Sequence, residues 1–178
     1  FDGELKDLKG KSRNHYRQTF RQLFKFAVRR DYLSPEHRLG EVLVNEPTNE
    51  AAPEILGPDV LRRMLESATA EMLPYVAIAA FTGARRSEIL RMTWEDVWSI
   101  EGFLELESRK TKTKRRRLVP MCSALEKWLA SYRKHSGPIW KGTEGYFHSQ
   151  CQILMKECGV TGQNLLRHSY GSYRLALT

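Results

Sequence analysis

The sequence predicts a mainly α-helical fold with a small antiparallel β-hairpin. Several stretches carry apolar residues at helical spacing, whereas residues 99–119 alternate between apolar and polar. Residues 36–54 hold prolines and few periodic apolar positions, which favours a linker. The 178 residues suit one medium domain, or one domain plus part of another, and the 41% apolar content is enough for a core. We therefore expect a helical part over residues 1–50 and a second domain over residues 55–178.

The first predicted helix covers residues 12–30, and Ser12 is its expected N-cap. Apolar residues recur along it at 4-3-4 spacing, which predicts one buried face. That face contains Tyr16, Phe20, Leu23, Phe24 and Ala27. The opposite face is basic and contains Arg13, Arg17, Arg21 and Lys25.

The second domain begins with a predicted helix that runs from Pro58 to about residue 70, since proline suits the first helical turn. Residues 71–81, EMLPYVAIAAF, are almost wholly apolar and predict a buried central helix. Thr82-Gly83 ends it, and a short helix follows over residues 84–91.

The rest of the chain predicts a hairpin followed by three helices. Apolar and polar residues alternate along GFLELES, residues 102–108, and a second stretch, RRRLVPM at residues 115–121, follows a charged turn. Together they indicate two antiparallel strands. The three helices are expected over residues 123–134, 144–158 and 163–177.

Composition limits the classes of function. The net charge of +8 and the pI near 9.5 suggest a polyanionic partner. No apolar run approaches 18 residues, so we expect no membrane span. Three cysteines without a CxxC motif favour a reducing cytoplasm, and five histidines without HExxH-like spacing predict no metal centre. We expect no cofactor, and a chain that starts at phenylalanine is expected to be a fragment.

Arg85 and Glu88 form the first candidate site. They lie three residues apart, so they share a helix face and the carboxylate can hold the guanidinium in place. Arginine at the start of a helix, where the dipole disfavours a cation, suggests a bound anion such as a phosphate. Taken alone, this motif fits an ordinary surface ion pair better.

The second candidate is the hairpin tip RKTKTKRRR, residues 109–117, in which seven of nine residues are Lys or Arg. Such a run is usually a solvated loop, although on a hairpin it can enter a DNA groove. One lysine there could donate a proton if neighbouring cations lowered its pKa.

The third candidate is QNLLRHSYGSYRL, residues 163–175. On a helical wheel Leu166, Tyr170, Tyr173 and Leu177 form an apolar stripe. The opposite side carries Asn164, Arg167, His168 and Gly171. This polar cluster suggests a site, although His168 taken alone fits a packed, hydrogen-bonded core histidine better.

Together and in this order, the three motifs resemble the catalytic domain of tyrosine recombinases, the phage-integrase family. TGARRSEIL with WEDV, residues 82–97, resembles the family's first arginine box. KTKRRRLVP, residues 112–120, resembles its hairpin lysine segment, and LRHSY, residues 166–170, resembles its second box. The similarity runs from about residue 56 to the end. The helix over residues 12–30 more loosely resembles the end of the preceding core-binding domain.

The resemblance implies roles for individual residues. Arg85 and Arg167 would clamp the scissile phosphate, with Glu88 in support, and Lys112 would protonate the leaving 5′ oxygen, with Lys110 as the alternative. Asn164 stands where the family usually has histidine, so it can hydrogen-bond but cannot titrate. His168 matches a histidine that buttresses the site. DNA contacts are expected from the basic residues of the first helix and from Arg109, Lys110, Lys114, Arg115 and Arg116.

The implied activity is site-specific DNA recombination or integration through a 3′-phosphotyrosyl intermediate. In the family, the nucleophilic tyrosine lies downstream of the second arginine box. Residues 1–178 are therefore expected to bind double-stranded DNA and activate the phosphate without cleaving the strand. The intact protein would assemble as a tetramer on DNA. A non-catalytic DNA-binding module that contacts only the phosphate backbone is the alternative, and a helical RNA-binding protein is a weaker one.

Overall fold

The computed structural model describes residues 5–48, 54–107, 116–132 and 136–177. These residues form helices and one two-stranded antiparallel sheet, which confirms the predicted mainly α fold with a small hairpin. The chain divides into two compact units, Phe1–Ala52 and Pro53–Thr178. In the described part, none of the helices is both long enough and apolar enough to cross a bilayer.

The first unit contains helix α1, Gly10–Arg29, and the short helix α2, Leu39–Val42. The N-cap of α1 is Lys9, three residues before the predicted N-cap. The segment predicted as a linker, residues 36–54, contacts α1 in its part up to residue 48. Asn14 donates to the carbonyl oxygen of Glu46 and accepts from its backbone N–H, both at 2.8 Å, so this segment lies along α1.

The orientation of α1 agrees with the prediction only in part, because three of the five residues of the expected apolar face are half-buried. Tyr16 and Leu23 of the expected apolar face are 45% and 55% exposed, whereas Arg17 of the expected basic face is 6% exposed. Arg17 contacts Glu46 at 2.7 Å through Nη2, and Arg13 contacts the same carboxylate at 2.7 Å. An ion pair to the following segment therefore accompanies the burial of Arg17.

The second unit is built around helix α4, Leu73–Thr82, which follows α3, Pro58–Ser67. Val76, Ala77 and Ile78 are at most 1% exposed, so the predicted buried central helix is confirmed. Both helices carry proline at the first or second position, where no intrahelical N–H bond is lost.

Two short helices follow, α5 at Arg86–Ile89 and α6 at Trp94–Trp98. Helix α6 was not predicted. It begins where the N–H and the hydroxyl of Thr93 both donate to the Asp96 carboxylate, at 2.7 and 2.9 Å. This capping arrangement satisfies donors of the first turn, while Trp94 and Val97 are buried in the core.

The predicted hairpin is present as β1, Phe103–Glu107, and β2, Arg116–Pro120. The antiparallel register pairs Leu104 with Val119 and Leu106 with Arg117. Directly paired residues share one face of an antiparallel sheet. Leu104, Leu106 and Val119 are buried, so the face that includes Arg117 is turned toward the core.

Three helices complete the unit: α7 at Ser123–Leu129, α8 at Glu144–Glu157 and α9 at Leu165–Ala176. A 3₁₀ turn, Ala130–Tyr132, follows α7. Helix α9 packs against α4. Its buried positions are Leu165 and Ser169.

The apolar stripe predicted on α9 is only partly correct. Leu166 and Tyr170 are half-buried, but Tyr173 is 43% and Leu177 is 82% exposed. The buried Ser169 accounts for part of the difference, because its hydroxyl accepts a hydrogen bond from the N–H of Leu56 at 2.8 Å. This contact turns a small polar residue inward.

Candidate functional site

A tight turn after α4 creates the first part of the site. Gly83 has φ +61° and ψ 22°, a left-handed conformation that glycine adopts without a Cβ clash. The hydroxyl of Thr82 donates to the Ile78 carbonyl at 2.6 Å and accepts from the Ala84 N–H at 3.1 Å. The Thr82-Gly83 pair therefore ends one helix and directs the chain into the next.

Arg85 is the N-cap of α5, and Glu88 holds it at two points. The Arg85 N–H donates to Glu88 Oε2 at 2.7 Å, and Nη1 donates to Oε1 at 3.0 Å. The predicted Arg85–Glu88 pair is confirmed. The arginine side chain is 63% exposed, whereas that of Glu88 is 8% exposed. Glu88 therefore orients a guanidinium that still faces solvent.

Arg167 reaches the same turn from α9. Its Nη1 donates to the Gly83 carbonyl oxygen at 2.5 Å, across 84 residues of sequence. Burial lowers the pKa of Arg167, and the positive charges of Arg85 and Arg117 lower it further, while Glu88 opposes the shift. These influences mean that three guanidiniums and one carboxylate lie within electrostatic reach of one another.

One cavity of about 570 Å³ brings together three of the residues predicted for the site, but not His168. Arg85, Asn164 and Arg167 line it. Its remaining lining includes apolar side chains such as Val76 and Phe147. Fixed cations beside an apolar wall interact more strongly with an anion than they would in open water.

Glu88 remains ionised within this cluster. Burial alone would raise the pKa of the Glu88 carboxyl, but the hydrogen bonds from Arg85 and the charge of Arg117 lower it below its ordinary value. The carboxylate can therefore act as a fixed acceptor for two arginines at neutral pH.

Asn164 occupies the N-cap of α9 in the left-handed region, with φ 57°. Asparagine tolerates this conformation better than most residues, which suits it to the position. Its backbone carbonyl accepts the N–H of His168 at 2.9 Å. His168 is exposed, so its interpretation as a packed core histidine is wrong.

The basic hairpin tip falls largely outside the described residues. The predictions for Lys112 and for Arg109, Lys110, Lys114 and Arg115 lie in residues 108–115, which the structure does not describe. Arg116 is described, and it forms an ion pair with Glu105 of the facing strand at 3.0 Å.

Sequence reasoning missed Arg117. Its Nη2 lies 3.2 Å from Glu88 Oε2, which connects β2 to α5. The strand alternation was the available signal, since Arg117 and Val119 are two residues apart and therefore share a face. A basic residue on the inward face of a strand indicates a partner inside the molecule.

The basic face predicted on α1 is not open as expected. Arg17 is buried, and Arg13 and Arg17 both pair with Glu46, which corrects the prediction of an exposed arginine row. Arg21 donates to the side chain of Asn45, and Lys25 is exposed. DNA contact by these residues remains a prediction.

Comparison with known proteins gives structural matches only. No family model and no curated protein sequence matches the chain. A lambda integrase (residues 75–356) dimer bound to a COC′ core site superposes with a TM-score of 0.70 at 16% identity, over 97% of this chain and 69% of that one. XerA recombinase superposes with a TM-score of 0.58 at 20% sequence identity, over 87% of this chain. The catalytic domain of bacteriophage HP1 integrase superposes with a TM-score of 0.54 at 23% sequence identity, over 68% of this chain and 71% of that one.

The chain therefore has the fold that these recombinases and integrases share, as the sequence motifs predicted. It spans only 60% of the XerA chain. The described ranges contain no group of three His, Cys, Asp or Glu side chains close enough together to hold a metal ion.

Proposed function

We propose that this chain binds double-stranded DNA and activates one phosphodiester for site-specific recombination or integration, through a 3′-phosphotyrosyl intermediate. One observation carries the proposal. Arg85, Asn164 and Arg167 come from two distant motifs and line a single cavity. The fold shared with recombinases and integrases supports the same function.

The two arginines would bind the non-bridging oxygens of the scissile phosphate. Negative charge grows on these oxygens as the nucleophile attacks, and preoriented donors stabilise it. Arginine presents a rigid fork of donors that matches phosphate geometry. Glu88 and the Gly83 carbonyl each occupy one donor of an arginine and fix its direction. The remaining donors are available for the phosphate.

The reaction breaks one P–O bond as it forms another. A tyrosine oxygen attacks phosphorus, the bond to the 5′ oxygen breaks, and the tyrosine proton leaves with a base or solvent. We propose that Lys112, or Lys110 in its place, gives the 5′ oxygen its proton, since an alkoxide is a poor leaving group. Asn164 would donate a hydrogen bond to the phosphate, and His168 would buttress the site. Reversal by a second 5′ hydroxyl rejoins the strands.

The described tyrosines near the site are poor candidates for the nucleophile. Tyr75 lines the cavity, but burial raises its pKa and disfavours the phenolate. The ring of Tyr170 lies against Gly83, and the hydroxyl of Tyr173 donates to the Leu56 carbonyl at 2.8 Å. We therefore assign the nucleophile to a tyrosine outside residues 1–178, and we expect these residues alone to bind DNA without cleaving it.

Assembly on DNA belongs to the same proposal. Lambda integrase has been solved as a tetramer bound to a Holliday junction, and it shares this fold with a TM-score of 0.68 at 17% identity. We propose a tetramer on DNA for the intact protein, acting in the cytoplasm. The net charge of +8 favours DNA binding but fits a non-catalytic binding module equally well.

Covalent trapping separates the two functions. The full-length protein is incubated with a library of nicked random-sequence duplexes, in which a cleaved end diffuses away, and is then denatured. We expect a protein–DNA adduct that survives denaturation and that Arg85→Ala and Arg167→Ala abolish. Arg91→Ala serves as the control, because Arg91 is exposed and is not part of the cavity lining. DNA binding without an adduct would establish the binding module instead.

A further inference from the structure

Arg117 is a third arginine beside the cavity. It lies on the core-facing side of β2, opposite Leu106, and its side chain is 47% exposed. Its Nη2 is 3.2 Å from Glu88 Oε2, and 29 residues separate the two in sequence. The residues that line the cavity include Arg85 and Arg167 but not Arg117, within the part of the chain described. Arg117 therefore reaches the site through Glu88.

Glu88 divides its carboxylate between two guanidiniums. Oε1 accepts from Arg85 Nη1, and Oε2 accepts from the Arg85 N–H and lies beside Arg117. A carboxylate paired with Arg85 alone would cancel the charge of that arginine. With Arg117 on its second oxygen, the three groups together carry one net positive charge, which adds to that of Arg167.

We propose that Arg117 is a positioning residue of the phosphate site, which holds one oxygen of Glu88 and so leaves Arg85 with positive charge to offer an anion. This inference rests on the proposed function, because it assumes that Arg85 and Arg167 bind phosphate. It adds a role for the core-facing side of the hairpin. Without Arg117, the Glu88 carboxylate is paired with Arg85 alone and cancels its charge, which weakens the attraction of Arg85 for the phosphate.

The test uses inorganic phosphate as the probe, with the 178-residue chain at low ionic strength, where electrostatic binding is strongest. In NMR spectra, changes in the Nε–Hε resonances of Arg85 and Arg167 report phosphate binding at each arginine. We expect Arg117→Gln to weaken phosphate binding about three- to tenfold, as the loss of one partly screened charge implies. Arg117→Lys keeps the charge and should restore most of the affinity. Arg38→Gln is the control, because it removes one charge from an exposed pair with Glu41.

A double-mutant cycle tests the route through Glu88. If Arg117 acts through the carboxylate, Arg117→Gln has little effect in a Glu88→Gln background. An equal loss in both backgrounds would overturn the inference and make Arg117 a direct ligand. Equal weakening by Arg117→Lys and Arg117→Gln would also overturn it, since charge would then be irrelevant. Thermal melting checks that each variant is folded.

Failure of the inference and failure of the proposed function remain distinguishable. If Arg85→Gln leaves phosphate binding unchanged, the phosphate site itself is wrong. If Arg85→Gln abolishes binding while Arg117→Gln matches Arg38→Gln, only the role of Arg117 is wrong.

Discussion

Arg167 donates a hydrogen bond to the carbonyl oxygen of Gly83 over 2.5 Å, and this contact places the second arginine beside the turn that leads to the first. The glycine serves both arginines. Its left-handed backbone sets the path to Arg85, and its missing Cβ leaves room for the ring of Tyr170, one helical turn from Arg167 on α9. The geometry of the proposed anion site thus depends on one residue without a side chain.

Replacing Gly83 by alanine should damage both fold and site. A Cβ at Gly83 would lie 2.4 Å from Tyr170 Cδ1, in a backbone conformation with φ +61°. We expect a loss of about 3 kcal/mol in the free energy of unfolding, from left-handed strain plus overpacking. Urea denaturation measures it. Gly102→Ala is the matched control, because Gly102 has φ +74° but an added Cβ there would have no atom within 4 Å. We expect this variant to lose about 1 kcal/mol in the free energy of unfolding. Equal losses for the two variants would show that Tyr170 yields at no cost.

Arg167→Lys should separate charge from geometry. Lysine keeps the positive charge but lacks the planar fork, so it cannot bond the Gly83 carbonyl and present a parallel pair of donors to a phosphate. We expect phosphate binding to weaken about tenfold or more, with the free energy of unfolding changed by less than about 1 kcal/mol. An isothermal titration with inorganic phosphate measures the first and urea denaturation the second. Unchanged affinity would mean that a point charge suffices.

The second unit could be predicted well from the sequence because its signals are local. Proline at the start of α3 and α4 and the apolar run of α4 depend only on nearby residues. The pairing of Arg85 with Glu88 likewise follows from their spacing of three residues. The shared cavity of Arg85 and Arg167 needed the family resemblance, since no local rule brings residues from α5 and α9 together.

The errors arise where distant partners override local pattern. The apolar spacing of α1 predicts its buried side only in part, because Arg17 of the basic face pairs with Glu46 and is buried, while Tyr16 and Leu23 are exposed. The apolar pattern does not predict helix α6, although Thr93 and Asp96 have the spacing of a capping box. The sequence does not single out Arg117, because it lies in a run of like charges and only the strand register distinguishes its face from that of Arg116.

Ser169→Ala should destabilise the second unit more than Tyr173→Phe. Both residues of α9 bond the backbone of Leu56, but Ser169 is buried and its loss leaves the Leu56 N–H without an acceptor inside the core. We expect Ser169→Ala to lower the free energy of unfolding by about 1–3 kcal/mol. Tyr173 is 43% exposed, so water can replace its hydroxyl as the donor to the Leu56 carbonyl. We therefore expect Tyr173→Phe to lower the free energy of unfolding by about 0.5 kcal/mol. Urea denaturation compares them, and the reverse order would contradict the burial argument.

Acid should weaken the second unit through Glu88. The pKa of Glu88 is lowered in the folded chain from an ordinary value of 4.5, so the carboxylate contributes stability that is complete above about that pH. This contribution is lost as the pH falls from the ordinary value through the lowered one. We therefore expect Glu88→Gln to be less stable than the wild type at pH 7, with the difference shrinking on acidification. Urea denaturation of both proteins from pH 7 down through the ordinary pKa measures this difference in the free energy of unfolding. A difference that does not change with pH would exclude linkage through Glu88.

Glu46 should be the main stabilising residue of the first unit. It binds Arg13 and the 6%-exposed Arg17, and its backbone is paired with Asn14, so it attaches the following segment to α1. Removing its carboxylate withdraws an ionic partner from a buried guanidinium, which is costly in general. We expect Glu46→Ala to accelerate amide hydrogen exchange along α1 severalfold.

Glu41→Ala provides the matched comparison for this effect. It also removes one carboxylate from the same segment, but its pair with Arg38 is exposed, with side chains 68% and 70% accessible, and such pairs contribute little. Hydrogen–deuterium exchange at neutral pH should therefore leave α1 of this variant close to the wild type. The hydrogen bonds from Arg17 and Arg13 lower the pKa of Glu46, so acidification should remove the difference between the two variants as Glu46 becomes protonated. Similar exchange in both variants at neutral pH would show that the Glu46 ion pairs do not hold the segment in place.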